Sequence, residues 1–263
     1  MSRILAIHAH PDDVEILAGG TMALLAAARH EIAIATFTPG DCGSHGLPAE
    51  AIAKVRRAEA ERAAALIGAR YLCLEFRDLA IFSDDASRRR VVETLRRVQP
   101  EIVLTSSPVD YLCDHEAASA LVRDACFAAP MPNYRSGDAP VLPAIPHLYF
   151  MDPATGLDRE GSEIKPDFVV DVTATFARKR EMLAQHASQR QWLKQHHGID
   201  EYLEEMEKWT RARGRLGGVE YGEGFRQYKG HAYPQTPFLQ ELVGRSSSGA
   251  PSGPAGPPGP PVR

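Results

Sequence analysis

Only four cysteines, Cys42, Cys73, Cys113 and Cys126, occur in the 263 residues, and none stands in a C-x-x-C pair. Reduced thiols in a cytoplasmic protein are therefore expected. Basic blocks are missing too. Lys and Arg number 30 against 34 Asp and Glu, a formal charge of −4, which sets nucleic acid aside as a partner. No apolar run reaches membrane-spanning length, and the opening MSRILAIHAH passes straight into a strand pattern without a signal-peptide signature, so no membrane partner is expected. There is no internal repeat.

Hydrophobic residues, by contrast, make up 44% of the chain, enough for a substantial core. Strand and helix signals alternate over the first half. Arg3–Ala9, Glu31–Phe37, Tyr71–Leu74 and Glu101–Thr105 read as short strands, and Val14–Ala28, Ala49–Ile67, Ser87–Val98 and His115–Ala128 as helices. This rhythm predicts a Rossmann-like, mostly parallel α/β sheet flanked by helices, with a site at the carboxyl ends of its strands. After a Pro-rich connection from Pro130 to Pro146, strands are expected at His147–Met151 and Asp167–Val172. A long helix over Thr173–Lys194 and another over Asp200–Arg211 make a helical C-terminal extension. The expected organisation is one domain over 1–244, with a core at 1–128 and an elaboration at 129–244. The Pro/Gly-rich 245–263 has the composition of a disordered tail.

The chemistry concentrates in His10-Pro11-Asp12-Asp13, between the first strand and its helix. Pro and acids suit a helix start, which accounts for Asp12, Asp13 and Glu15 but leaves His10 without a reason. The strand ending at Thr105 leads to a second polar cluster, Asp110 to His115. Adjacent central strands would bring both clusters to one sheet edge. His10, one of the two aspartates and His115 then form a two-histidine, one-carboxylate set suited to Zn²⁺, with Fe²⁺ also tolerated. The other aspartate is left to take a proton from water. Gly19-Gly20 does not complete a G-x-G-x-x-G turn, and acids stand where a pyrophosphate needs bare amides, so a dinucleotide is rejected.

Several short stretches carry a resemblance: AHPDDVE, GGT, TPGDCGS, RRAEA, PEIVLT, SPVDYLCDHEA, AQHASQ, YGEGFRQY and FLQELVG. Together they resemble the LmbE/PIG-L family of zinc-dependent N-deacetylases, which act on N-acetylglucosamine-type sugars and related amides. The resemblance implies zinc held by His10, Asp13 and His115, with Asp12 as general base. It also implies a small N-acyl amino sugar or conjugate as substrate, and often a trimer or hexamer. Many members carry histidine where this chain has Leu112, and that histidine steadies the oxyanion or protonates the amine. Tyr111, His186 or His231 is then the substitute, or the chain works with less help, binds metal without hydrolysis, or acts on a non-sugar amide or ester.

Around this set, Arg56 and Glu59 have the spacing of a surface helix pair, whereas the resemblance turns Arg56 toward the pocket as a substrate ligand. Asp41 either touches a sugar hydroxyl or ends a turn. Asp78 resembles a sugar-binding acid or caps a loop. His186 is either structural or pocket-lining, and Asp114 either orients His115 or caps its helix. His231 and Tyr233 are expected at the rim and Cys113 as a bystander; His8, on the same strand face as His10, either supports the site or, the favoured reading, packs in the core. Arg88-Arg89-Arg90 with Arg96-Arg97 reads as a solvated face.

Overall fold

The computed structural model describes residues 1–190, 193 and 202–244. The expected tail at 245–263, the end of the first long C-terminal helix at Lys194 and the start of the second at Asp200 lie outside the described residues.

Seven strands form one sheet: β1 (Arg3–His8), β2 (Glu31–Thr36), β3 (Arg70–Cys73), β4 (Ile102–Thr105), β5 (His147–Met151), β6 (Phe168–Asp171) and β7 (Gly222–Gln227). Their order is β3-β2-β1-β4-β5-β7-β6. The first five run parallel, and β7 pairs antiparallel with both β5 and β6. Buried parallel strands need apolar residues on both faces, and β1 supplies them. Ile4 and Ala6 join one core with α1 (Asp13–Ala27), α2 (Ala49–Ala65), α5 (Phe176–Leu183) and α6 (Tyr202–Gly217). Leu5 and Ile7 join the other, beneath α3 (Asp85–Val98) and α4 (Cys113–Ala128). A last short helix, α7, spans Phe238–Val243. The fold class is the expected one, a mostly parallel sheet flanked by helices.

Strand order reverses at β1, which has β2 on one side and β4 on the other. The loops leaving β1 and β4 therefore open a crevice between them, where ligands of such sheets bind. That crevice is where His10 and His115 meet.

Four local readings need correction. The Thr173–Lys194 helix is not continuous: Thr173–Thr175 is a 3₁₀ turn, α5 ends at Leu183, and helix resumes at 187. The break has a partner, because Glu59 accepts hydrogen bonds from the Ser188 amide (2.9 Å) and hydroxyl (2.5 Å), which serves the new helix start. The C-terminal extension holds one more strand than expected, since β7 enters the sheet from YGEGFRQY. Its glycines hid it as a strand, yet Gly224 is required there: a Cβ would strike the Asp152 carboxylate. Helix α3 begins earlier than Ser87, capped by the Asp84 carboxylate, which accepts from the Ser87 amide at 2.7 Å. Finally, Arg96 is buried, not solvated. Its guanidinium donates to the Ala129 and Met131 carbonyls and pins the start of the Pro-rich connection.

The Gly19-Gly20 pair sits where α1 crosses the C-terminal elements. A Cβ on Gly20 would lie 2.6 Å from Val172 Cβ, so the close approach of helix to sheet needs glycine. No helix among the described residues is long and apolar enough to cross a membrane.

Candidate metal centre and active site

The β1–α1 turn is built around Asp12, whose φ of 92° puts it in the left-handed region at the helix N-cap. Its side chain makes no capping hydrogen bond. The helix-start reading therefore does not account for this carboxylate, which points into a cavity of about 490 Å³ shared with His10, Asp13 and His115.

Asp13 is the hub. Its Oδ2 accepts from the His10 amide at 2.8 Å, and lies 3.4 Å from His10 Nδ1 and 3.5 Å from His115 Nε2. The same oxygen is 2.7 Å from His8 Nδ1. Burial would raise this carboxyl, but His8, His115 and His10 hold it well below the ordinary carboxylate range.

Each of the two cavity histidines has its other ring nitrogen fixed by an acid. His10 Nε2 lies 3.1 Å from Asp114 Oδ2, and His115 Nδ1 lies 3.0 Å from Asp110 Oδ1. Burial would lower His10, yet Asp114 and Asp13 push it up to about 10, and Asp13 and Asp110 likewise raise His115 against burial. Carboxylates of this kind orient metal-ligating imidazoles and fix their tautomer. Asp114 thus addresses His10, not His115, because α4 turns its carboxylate across the crevice toward β1.

The donor chemistry fits a divalent ion. The distances from Asp13 Oδ2 to His10 Nδ1 and to His115 Nε2, 3.4 and 3.5 Å, are each the spacing of two ligands about 2.0–2.2 Å from one Zn²⁺. Among the described residues the donors close enough together to share an ion include His8, Asp13 and His115 and, beside them, His10, Asp78 and Asp114; His10 reaches the first group through Asp13, 3.4 Å from its Nδ1.

Asp12 faces a different environment. Its Oδ2 accepts from the Tyr202 hydroxyl at 2.5 Å, and its Oδ1 lies 3.8 Å from Arg56 Nη2. Burial pushes the Asp12 carboxyl up, while Arg56 pulls it down. Two adjacent carboxylates are thereby driven apart in acidity, the signature of divided roles.

The remaining expected residues divide. Arg56 and Glu59 are both buried and do not pair as a surface couple. Arg56 lines the cavity and donates to the Pro11 carbonyl (2.9 Å), and Glu59 serves Ser188. Asp78 also lines the cavity, accepts from the Thr38 hydroxyl and the Cys42 amide, and lies 3.9 Å from His10 Nε2. Asp41 accepts from the Asp78 amide at 2.8 Å, which ties its loop to the loop of Asp78. Tyr111 is 67% exposed at the mouth, its ring edge-on to His115 at 5.5 Å. Leu112 lines the cavity wall, and Cys113 is exposed beside it. His186 is buried behind Asp12, 3.5 Å from Glu15, and does not line the cavity. His231 and Tyr233 are not rim residues. They line a separate cleft with Arg123 and Phe127, because the 228–237 segment packs over α4 on the far side of the sheet edge.

The roles of Asp110 and Tyr202 were not foreseen, and of the two roles weighed for His8 it takes the one in closer contact with the site. His8 shares its strand face with His10, a usable signal. Asp110 stands five residues before His115 in an irregular loop, and Tyr202 is 190 residues from its partner. Neither spacing marks a pair.

Residues 5–126 match the family described as PIG-L: GlcNAc-PI de-N-acetylase. The chain is similar to the 4-oxalmesaconate hydratase of Pseudomonas putida, 31% identical over 183 residues, which span 66% of this chain and 69% of that protein. It is similar to the diacetylchitobiose deacetylase of Thermococcus kodakarensis, 26% identical over 259 residues, covering 92% of this chain and 89% of that one. Its fold superposes on the N,N'-diacetylchitobiose deacetylase of Pyrococcus horikoshii with a TM-score of 0.73 at 26% identity, over 90% of this chain and 87% of that chain. With its sheet order, its strand-end acids and histidines, and these relatives, the chain belongs to the PIG-L/LmbE family of deacetylase-like enzymes.

Proposed function

We propose that this chain is a zinc-dependent hydrolase that removes an N-acetyl or other acyl group from an N-acetylglucosamine-type sugar or conjugate. The observation that carries the reading is the convergence of His10 Nδ1 and His115 Nε2 on Asp13 Oδ2, with Asp12 beside them. His10, Asp13 and His115 would hold the ion, which supplies Lewis acidity toward an amide carbonyl and lowers the pKa of water to about 7.

The chain's own residues do the rest. Asp114 and Asp110 hold the two imidazoles in register. Asp12 Oδ2 is occupied by Tyr202, so Oδ1 is the oxygen turned to solvent chemistry: it accepts the proton of the attacking water and returns it to the departing amine. Arg56 opposes the burial that raises the Asp12 carboxyl. Asp78 stands at hydrogen-bond reach of a hydroxylated substrate at the cavity wall.

A second reading has its own support. Leu112 offers no proton or hydrogen bond where an amide hydrolase profits from one, and a relative 31% identical is named a hydratase. In that reading Asp12 takes a proton from water as the water oxygen adds to one carbon of an activated double bond, and returns that proton to the neighbouring carbon. One experiment separates the two. Purified protein with its metal content measured is given N-acetylglucosaminyl compounds and, separately, a conjugated unsaturated acid. Acetate release that disappears in Asp12→Asn is expected. Loss of the conjugated absorbance without acetate release would replace hydrolysis by hydration, and equal acetate release from wild type and Asp12→Asn would remove the assigned base.

A further inference from the structure

Three apolar side chains crowd the mouth of this cavity: Leu79, Tyr111 and Leu112. Leu79 is 63% exposed and Tyr111 67%. Single exposed hydrophobes are ordinary, but here they share one opening above the ligand set, and the deeper wall adds Ile16 and Leu193.

Leu79 is held there at a conformational cost. It occupies the third position of the turn closed by the Ala80 amide and the Arg77 carbonyl (3.1 Å), with φ at 61°, where glycine or asparagine is the usual residue. Its amide donates at 2.7 Å to Asp114 Oδ2, the same oxygen that holds His10 Nε2. A branched side chain in left-handed backbone, aimed outward and tied to the centre's own support, is strain kept at a working position.

Resting on the functional reading above, we infer that this collar is a subsite for an apolar group next to the scissile bond. The substrate is an amphiphile, with a polar amino-sugar part inside and an aromatic or aliphatic part at the mouth. That part is either an aglycone or an acyl chain longer than acetyl, and the test has an arm for each.

The experiment compares N-acetylglucosamine, its p-nitrophenyl β-glycoside and N-hexanoylglucosamine, reading acyl release as kcat/KM. One of the two apolar compounds is expected to exceed N-acetylglucosamine by about tenfold or more, chiefly through KM, and which one does so names the source of the apolar group. In Leu79→Asn with Tyr111→Ser the ratio falls toward unity. Leu79→Asn alone raises the melting temperature, because asparagine relaxes the turn, while lowering the ratio. A mere structural leucine would not trade one for the other. Ratios near unity in the wild type overturn the inference. So does an unchanged ratio in the double variant, including the case in which sedimentation shows that variant changing its oligomeric state, which would make the collar a contact between copies. Should none of the three compounds release an acyl group, the functional reading falls, and calorimetry decides the collar separately. Aryl glycoside bound about tenfold tighter than N-acetylglucosamine supports it, and equal affinity overturns it.

Discussion

The Tyr202 hydroxyl donates to Asp12 Oδ2 at 2.5 Å, linking the first residue of α6 to the turn after β1 across 190 positions of chain. One oxygen of the assigned base is thereby committed, and the charged form of that base gains a donor within a buried setting.

Tyr202→Phe should therefore raise the Asp12 pKa. A hydrogen bond to a charged group contributes about 1.5–3 kcal/mol, or about one to two pH units. The acid limb of the kcat/KM profile is expected to move to higher pH by about that much, with circular dichroism unchanged. An acid limb that stays in place would show that Tyr202 serves packing alone.

Metal binding should displace protons. In the metal-free protein Asp114 and Asp13 push His10 up to about 10, so it carries a proton that an ion must remove, and Asp13 and Asp110 make His115 hold its proton more tightly than a free imidazole. Affinity should rise with pH, and calorimetry at pH 7 in buffers of different ionisation enthalpy should register proton release. Asp110→Asn, which unfixes His115, should weaken zinc by about 10–100-fold. Binding heats independent of buffer would contradict this electrostatic picture.

Leu112→His tests the missing donor. A properly placed donor at a developing oxyanion contributes about 10²–10³ in rate, so even an imperfect one should raise kcat for acyl release by about tenfold. An unchanged kcat would indicate that another group already fills the role, and Tyr111→Phe is then the next variant to assay.

Asp152 makes a stability prediction away from the chemistry. It lies 2.7 Å from Arg213 Nε, but without a well-directed hydrogen bond, and burial outweighs the guanidinium and pushes the carboxyl up to about 6. The folded state thus binds this proton more tightly than the unfolded chain, whose aspartates titrate near ~3.9. The contribution is fully present below about pH 4 and lost as pH rises to about 6, a change of about 2–3 kcal/mol. Denaturant unfolding across that window should show wild type losing about this amount of stability relative to Asp152→Asn as pH rises. A pH-independent difference would refute it.

How much of this was legible in the sequence follows from the range of each interaction. The alternation of apolar strands and amphipathic helices announced the sheet, because burial on both faces writes itself locally into Ile4 to Ile7. His10 and His115 were suggested as partners because each follows a central strand, and topology then sets their distance. Glycine obscured β7, since the property that fits Gly224 against Asp152 is the lack of the side chain that marks a strand. Arg96 misled for the opposite reason: a charge inside a basic run looks solvated until carbonyls from another segment enclose it. Tyr202 was beyond reach, as one phenol among eight offers no spacing that points at Asp12.

The left-handed backbone at Asp12 limits what could ever replace it. Only short polar residues and glycine settle comfortably at that φ, so lengthening the carboxylate to glutamate would strain the turn and overshoot the water at once. The tight corner after β1 thus sets the reach of the proposed proton acceptor through the main chain, and redesign of this centre has to begin from the backbone rather than from the acid.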